Sequence, residues 1–305
     1  MSAYRLPPEL WTIIFEYACN DTGATGRSIS QTCVHFHDIA RRVRLRCVSV
    51  TGAYQIRAFE AHLQSLPPDE RQVRHIFVSS CPQAKSRDAP IAHAHVCRMP
   101  GSEGYAATLA AYRRIFALVA PSLRTCYVSH CISRYSYMLP CSMSHLTSLV
   151  MNGPQPTWYA PTAERFPALR YLGFAGFSDY RPESIDDLWN IAPNLEHIDL
   201  EIKYPSRHLV TDLRAIVRRR SCDLKSSRRR RLRLEDDTLR AMGSSVRVVS
   251  IQVGDRPPQA DLALCHMHVL QAVQQLSKED PRLVVKEPRA CIHHTDTELD
   301  WLENY

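Results

Sequence analysis

Two short clusters hold the ligand types that metals prefer, His93-x-His95-x-Cys97 and Cys265-His266-x-His268. Imidazole and thiolate suit zinc or another borderline-soft ion. Alternating residues converge on one ion only in an extended chain, and neither cluster has a second ligand pair at zinc-site spacing, so loop histidines and buried thiols are the expected outcome. Other reactive arrangements are missing from the sequence. It has no Cys-x-x-Cys, no His-Glu-x-x-His and no Gly-x-Ser-x-Gly. Its 10 glycines in 305 residues nowhere form a phosphate-cradling loop. An enzyme needs a nucleophile beside its base, or carboxylates paired across a cleft. Nothing at recognisable spacing supplies them, so a non-catalytic chain without cofactor or metal is expected.

The 11 cysteines are odd in number and irregular in spacing, and a chain of this length does not need staples, so free thiols are expected. The formal charge of +7 is concentrated in one place. Arg218, Arg219, Arg220, Lys225, Arg228, Arg229, Arg230, Arg231 and Arg233, opposed only by Asp223, carry a local +8 that leaves −1 for the rest. Such a run could bind phosphates or direct nuclear import, but it lacks a neighbouring recognition helix or stacking aromatics. A solvated insert between structured elements is the other reading, with Ser221, Ser226 and Ser227 open to phosphorylation. Nucleic acid is not an expected partner. Residues 1–10 lack a secretory signal and no stretch approaches the roughly 18 apolar residues of a membrane span, so a cytoplasmic or nuclear location is expected.

The elements that would position any site fall into two groups. Residues 1–50 read as helices around a polar hinge, Asn20 to Arg27. Pro7, Pro8 and Glu9 suit a first helical turn, and Ser28 with Gln31 forms a capping box for a second helix. On the first helix Leu10, Ile13, Ile14, Tyr17 and Ala18 form a stripe that Trp11 and Phe15 widen to about 200° of the circumference. A unit of some 45 residues cannot cover so wide a belt, so the rest of the chain or another protein must cover part of it.

Residues 51–290 are periodic. An apolar residue at position 0 with others at +3 and +5 recurs as Val73-Ile76-Val78, Leu123-Cys126-Val128, Leu146-Leu149-Met151, Leu169-Leu172-Phe174, Leu195-Ile198-Leu200 and Val246-Val249-Ile251. The +3 and +5 positions share the face of a strand, and the 23 to 26 residues between the closer starts leave room for a helical return. Helical connectors are expected at Tyr105 to Val119, Pro182 to Ile191, His208 to Arg219 and Ala260 to Leu276, with a last strand in Pro281 to Glu287. Such β-α units bury their apolar faces by stacking into a parallel curved sheet backed by helices. The fold class is α/β, with residues 218–233 as a basic insert and 291–305 as a C-terminal tail.

The N-terminal residues resemble an F-box: Leu6, Pro7, Glu9, Leu10, Ile14 and Phe15 match its opening helix, and Ile29-Ser30-Gln31-Thr32-Cys33-Val34-His35-Phe36 resembles its second signature. The repeats resemble leucine-rich repeats of the cysteine-containing type, with Cys81 and Cys131 at +8 in the first two and other residues in the later ones. The resemblance implies a helical F-box followed by a leucine-rich-repeat-like solenoid. It also implies a substrate-recognition subunit of a Skp-cullin-F-box ubiquitin ligase, whose partners are the Skp adaptor, the cullin scaffold and an unidentified protein substrate. Leu6, Pro7, Leu10, Ile14, Phe15, Cys33 and Phe36 would then meet the adaptor. Positions +2, +4 and +6 would face outward from the sheet, so Phe77, Tyr127, Val150, Tyr171, His197 and Asp199 are candidate target contacts, unless a loop or the tail packs over them. The alternative is a non-catalytic repeat scaffold, or a nuclear nucleic-acid-associated protein, with a vestigial F-box.

Overall fold

A computed structural model describes residues 6–80, 103–129, 139, 141–152, 165–177, 188, 191–202, 207–215, 246–254, 260–287 and 301. The strands among them pair only in parallel, and helices lie between them in the chain, so the α/β class read from the spacing holds. Two compact units divide the chain. One comprises Met1–Cys131, Tyr137–His145 and His293–Tyr305; the other comprises Ile132–Ser136 and Leu146–Ile292.

The first unit opens with α1 (Pro8–Ala18), α2 (Ala24–Thr32) and α3 (Val34–Ala40). Proline in the first turn and Glu9 beside it start α1 as expected. Helix α2 begins four residues before Ser28, with Gly23 at its N-cap in left-handed backbone and the turn held by Asp21, two residues ahead. Its carboxylate accepts the backbone N–H groups of Gly23 and Thr25, each at 2.9 Å, and the Thr25 hydroxyl at 2.7 Å. Ser28 is thereby placed inside the helix, where its carbonyl accepts the Thr32 hydroxyl at 3.0 Å, and the expected capping box does not form. Cys33, in extended backbone, ends α2 and starts α3, its Sγ accepting Phe36 N–H at 3.5 Å. The single helix expected from Ser28 is therefore two. Gly26 lets α2 lie against the chain entering the first strand: a Cβ there would fall 2.3 Å from the carbonyl oxygen of Arg44. Phe15, Ala40 and Val43 form the buried centre, with Trp11, Ile29, Phe36 and Ile39 packed around it.

Next come β1 (Cys47–Thr51), α4 (Gly52–Ser65), a 3-10 turn (Pro68–Glu70), β2 (His75–Ser79), α5 (Glu103–Val119) and β3 (Thr125–Ser129). Helix α4 packs on β1 and α5. The strand β1 falls where helix was expected. Its Leu45-Val48-Val50 fits the 0, +3, +5 template, and Val48 and Val50 pair in register with Ile76 and Val78 of β2. In turn Ile76 and Val78 face Cys126 and Val128 of β3.

The second unit holds β4 (Ser148–Asn152), β5 (Tyr171–Phe177), β6 (His197–Ile202), β7 (Val248–Val253), α6 (Ala260–Glu279) and β8 (Leu283–Lys286), with residues 207–215 also helical. Strand order is sequence order within each unit. The +3 positions Leu149, Leu172, Ile198, Val249 and Leu283 form one buried row. A parallel row runs through Met151, Phe174, Leu200, Ile251 and Val285 at +5. Burial alternates strictly along β4, β6 and β7, which is the signature of strands with one face in a core. In β8 the position-0 residue is Asp280, buried and held by the backbone N–H of Arg282 at 3.1 Å and its guanidinium Nη2 at 2.7 Å.

The expected connectors at Tyr105 to Val119 and Ala260 to Leu276 form as α5 and α6. Helix is described at 207–215 of the His208 to Arg219 span. The rest of that span, most of Pro182 to Ile191, Cys81, Cys131, His93 to Cys97 and the whole run from Arg218 to Arg233 lie outside the described residues. No helix among the described residues is long and apolar enough to cross a membrane.

Candidate functional site

Helix α1 divides its broad apolar belt between two directions. Trp11 and Phe15 turn inward and meet Phe36, with ring centroids 4.7 to 5.5 Å apart, so these aromatics close the helical unit. Leu10, Ile13, Ile14 and Tyr17 span about 100° on another side of the helix and are exposed, joined by Leu6 before the first turn. Ile14 is 44% accessible and its neighbour Phe15 only 4%. Phe15 is thus corrected from a surface contact to a core residue, since one helical step of 100° carries it from the outer face to the inner one. Pro7 is exposed, whereas Cys33 and Phe36 are half-buried, the first as a cap and the second in the aromatic cluster. Ile13, Tyr17 and Val34 are further exposed apolar residues, outside the expected adaptor contacts.

The outward positions of the strands separate by unit. Phe77 and Tyr127 stack at 5.0 Å, and the indole of Trp301 lies 5.7 Å from the Phe77 ring. Both Phe77 and Tyr127 are buried, so of the two readings exposure fails for both, and cover by the tail holds at Phe77, where Trp301 packs. In the second unit Val150, Tyr171, His197 and Asp199 are half-buried and keep an accessible face. There the Tyr171 hydroxyl donates to Asp199 Oδ2 at 3.2 Å, and Lys286 Nζ donates to the same oxygen at 2.7 Å. This cluster joins β5, β6 and β8. Gly173 keeps its floor open, because a Cβ there would press on Val150 Cγ2 at 3.2 Å and on Tyr171 Cε1 at 3.4 Å.

In each unit a polar column runs beside the template rows. The residue before each strand's first pair is Arg46, Arg74 and Arg124 in the first unit and Thr147, Arg170, Glu196 and Arg247 in the second. Backbone bonds repeat along it: Arg74 and His75 N–H both donate to Arg46 C=O, and Glu196 and His197 N–H both donate to Arg170 C=O. Charge alternates in the second unit, where Glu196 lies 3.7 Å from both Arg170 and Arg247. In the first unit Glu16 reaches across from α1, 3.0 Å from Arg46 and 3.6 Å from Arg74. Helix α1 is thereby tied to β1 and β2.

Three of the described thiols, Cys19, Cys47 and Cys126, are buried. Burial pushes Cys19 up to about 11 and Cys47 up to about 12, with the carboxylate of Asp21 adding to both. Cys126, fully enclosed, is raised further. Cys19, Cys33, Cys47, Cys126 and Cys265 are free thiols. His75 is held neutral: burial, then the charges of Arg46, Arg124 and Arg74, lower it to about 3, and its Nδ1 lies 2.9 Å from the Thr125 hydroxyl. The Cys265-His266-x-His268 cluster is helical, so His266 and His268 stand about 200° apart. His266 Nε2 lies 3.0 Å from Gly254 C=O, while His268 is exposed.

Among the described residues two accessible surfaces are present: an apolar row on α1 and a polar and aromatic patch across β4, β5 and β6. Comparison of the chain with protein-family models and with curated proteins returned no match.

Proposed function

We propose that this chain is the substrate-recognition subunit of a Skp-cullin-F-box ubiquitin ligase, an F-box joined to a leucine-rich-repeat-like solenoid. One observation carries the reading. The row Leu6, Leu10, Ile13, Ile14 and Tyr17 is exposed on a helix whose other apolar side already closes its own unit, and a contiguous apolar row left in water fits a protein-binding role. The position of that row on the F-box-like opening helix supports the Skp adaptor as its partner. The patch around Val150, Tyr171, His197 and Asp199 serves the target protein, with aromatic and charged groups of the kind that dominate protein contacts. The subunit holds its target near a charged ubiquitin carrier and raises effective concentration without itself forming a bond.

Co-purification with the Skp adaptor tests this. The intact chain is expected to retain the adaptor, and the double variant Leu10→Asp/Ile14→Asp to lose it. Charge reversal at Arg218 to Arg220 and Arg228 to Arg231 is expected to leave the complex unchanged. Failure of the intact chain to bind, or full binding by the double variant, overturns the reading.

A further inference from the structure

A cavity of about 360 Å³ opens within the first unit, walled by α1, the end of α3 and the segments that lead into β1 and β2. Its charged lining consists of Arg42, Arg46 and Arg74 against Glu16 and Asp69. The arginines come from separate places in the fold, and parallel pairing brings two of them together. Cys47 faces His75 in the β1–β2 register, so Arg46 and Arg74 stand on adjacent strands, about 4.8 Å apart in the pairing direction. Adjacent like charges require a counter-charge. In the second unit Glu196 stands in line between two arginines, whereas here a single carboxylate from α1, Glu16, spans Arg46 and Arg74.

Glu16 leaves donors unused. A guanidinium has five N–H groups, and Arg46 Nε is buried with no hydrogen-bond partner among the described residues. An unanswered buried donor on a cation costs more than a neutral one. Asp69 meets Arg42 at 3.4 Å, with both side chains more than half accessible, so this pair contributes little and parts easily. The lining holds three guanidiniums against two carboxylates, and turning the exposed Asp69 into solvent would leave them facing one. The resulting excess of +2 matches the charge of a phosphate monoester, about −1.5 to −2 at neutral pH. Gln72 adds an amide donor to the same wall.

We propose that this cavity is a binding site for a phosphate monoester, gripped by Arg46 and Arg74 in the depth and by Arg42 at the rim. Guanidinium forks suit phosphate oxygens, and the cavity lies in the size range of small-ligand pockets. The site is independent of the adaptor-binding face, since Thr12 and Glu16 lie on a different side of α1 from Leu10 and Ile14.

Titration calorimetry and thermal melting of the full-length protein test this, with inorganic phosphate, a phosphoserine peptide and its unphosphorylated counterpart as probes, at ionic strength matched with sodium chloride. Saturable phosphate binding with a raised melting temperature is expected. Arg74→Gln is expected to weaken it about tenfold or more, the effect of losing a charge-assisted hydrogen bond. Arg42→Gln alters an exposed side chain, leaves the fold intact and weakens binding less. Glu16→Gln removes the competing carboxylate and tightens it, an opposite sign that mere loss of structure cannot produce. A phosphopeptide that binds about tenfold more tightly than inorganic phosphate identifies a modified protein side chain as the source; equal affinities identify a free phosphate compound. Absence of saturable binding by both phosphate probes, or Glu16→Gln and Arg74→Gln weakening it alike, overturns the proposal.

Discussion

The indole of Trp301 lies 5.7 Å from the ring of Phe77, tilted by 44°, although the whole repeat array separates the two in the chain. Trp301 is itself buried, so the contact belongs to the core of the first unit. Trp301→Ala is expected to cost about 3 to 5 kcal/mol, as for a buried aromatic cut to a methyl group. Urea unfolding measures the loss, and binding of an apolar dye should rise as Phe77 is uncovered. An unchanged midpoint and unchanged dye signal would refute this account of the contact.

Opposite sides of α1 should respond differently. Ile14→Asp alters an exposed position and is expected to shift stability by no more than about 0.5 kcal/mol. Phe15→Ala removes the ring that meets both Trp11 and Phe36, at an expected cost of about 3 to 5 kcal/mol. Comparing the two melting curves separates the surface row from the interior cluster.

His75 makes stability depend on pH with a definite sign. In the unfolded chain the imidazole titrates near 6.5, and in the folded protein near 3. Between those values the unfolded chain binds a proton that the native protein does not. The stabilisation is complete above pH 6.5 and declines as pH falls, at a slope approaching about 1.4 kcal/mol per pH unit. His75→Gln keeps a polar partner for Thr125 and does not titrate. Urea midpoints at pH 7.5 and 5.5 should therefore move less in the variant than in the parent; equal movement would show that the proton goes elsewhere.

Two substitutions test the start of α2. Asp21→Ala strips the acceptor that bonds Gly23 and Thr25 and is expected to cost about 1 kcal/mol, typical of a lost N-cap. Burial raises the Asp21 carboxyl, but the bonds from Thr25 and Gly23 outweigh it and leave the group below its ordinary range. Its contribution is complete above the ordinary carboxylate pKa and is lost as the solution is acidified through the lowered folded value. Gly26→Ala drives a methyl group into the Arg44 carbonyl at 2.3 Å and should cost more than the cap, since backbone must move to admit it. Circular-dichroism melts of the two variants give the order.

Legibility followed the range of the interaction. The +3 and +5 rows were readable because strand period and core burial coincide residue by residue, as in the Leu149 to Leu283 row. Strand β1 is hard to read although Leu45-Val48-Val50 carries the same spacing, because it adjoins a helical segment and a five-residue strand has little pattern of its own. The width of the α1 belt was legible, but not which flank faced inward. That depends on Phe36 and Val43, which helices and turns beyond α1 bring into place. Alternation placed Phe77 outward and left open whether the tail covers it; Trp301 of the tail does, a partner that strand spacing alone does not specify. The counter-charge that Glu16 provides to Arg46 and Arg74 was equally hidden, since it links a helix to two strand entrances.

Because neighbouring strands meet at equivalent template positions, save for the shift after Phe174 in β5, and the carbonyl at each entrance receives the same pair of amides, any interior strand offers its neighbours interchangeable edges. A gene lengthened or trimmed by one complete strand-and-return module would keep inside and outside in place, whereas a single codon added within a strand would turn every following side chain of that strand over. The architecture therefore tolerates large edits at its connections better than the smallest edit within a strand.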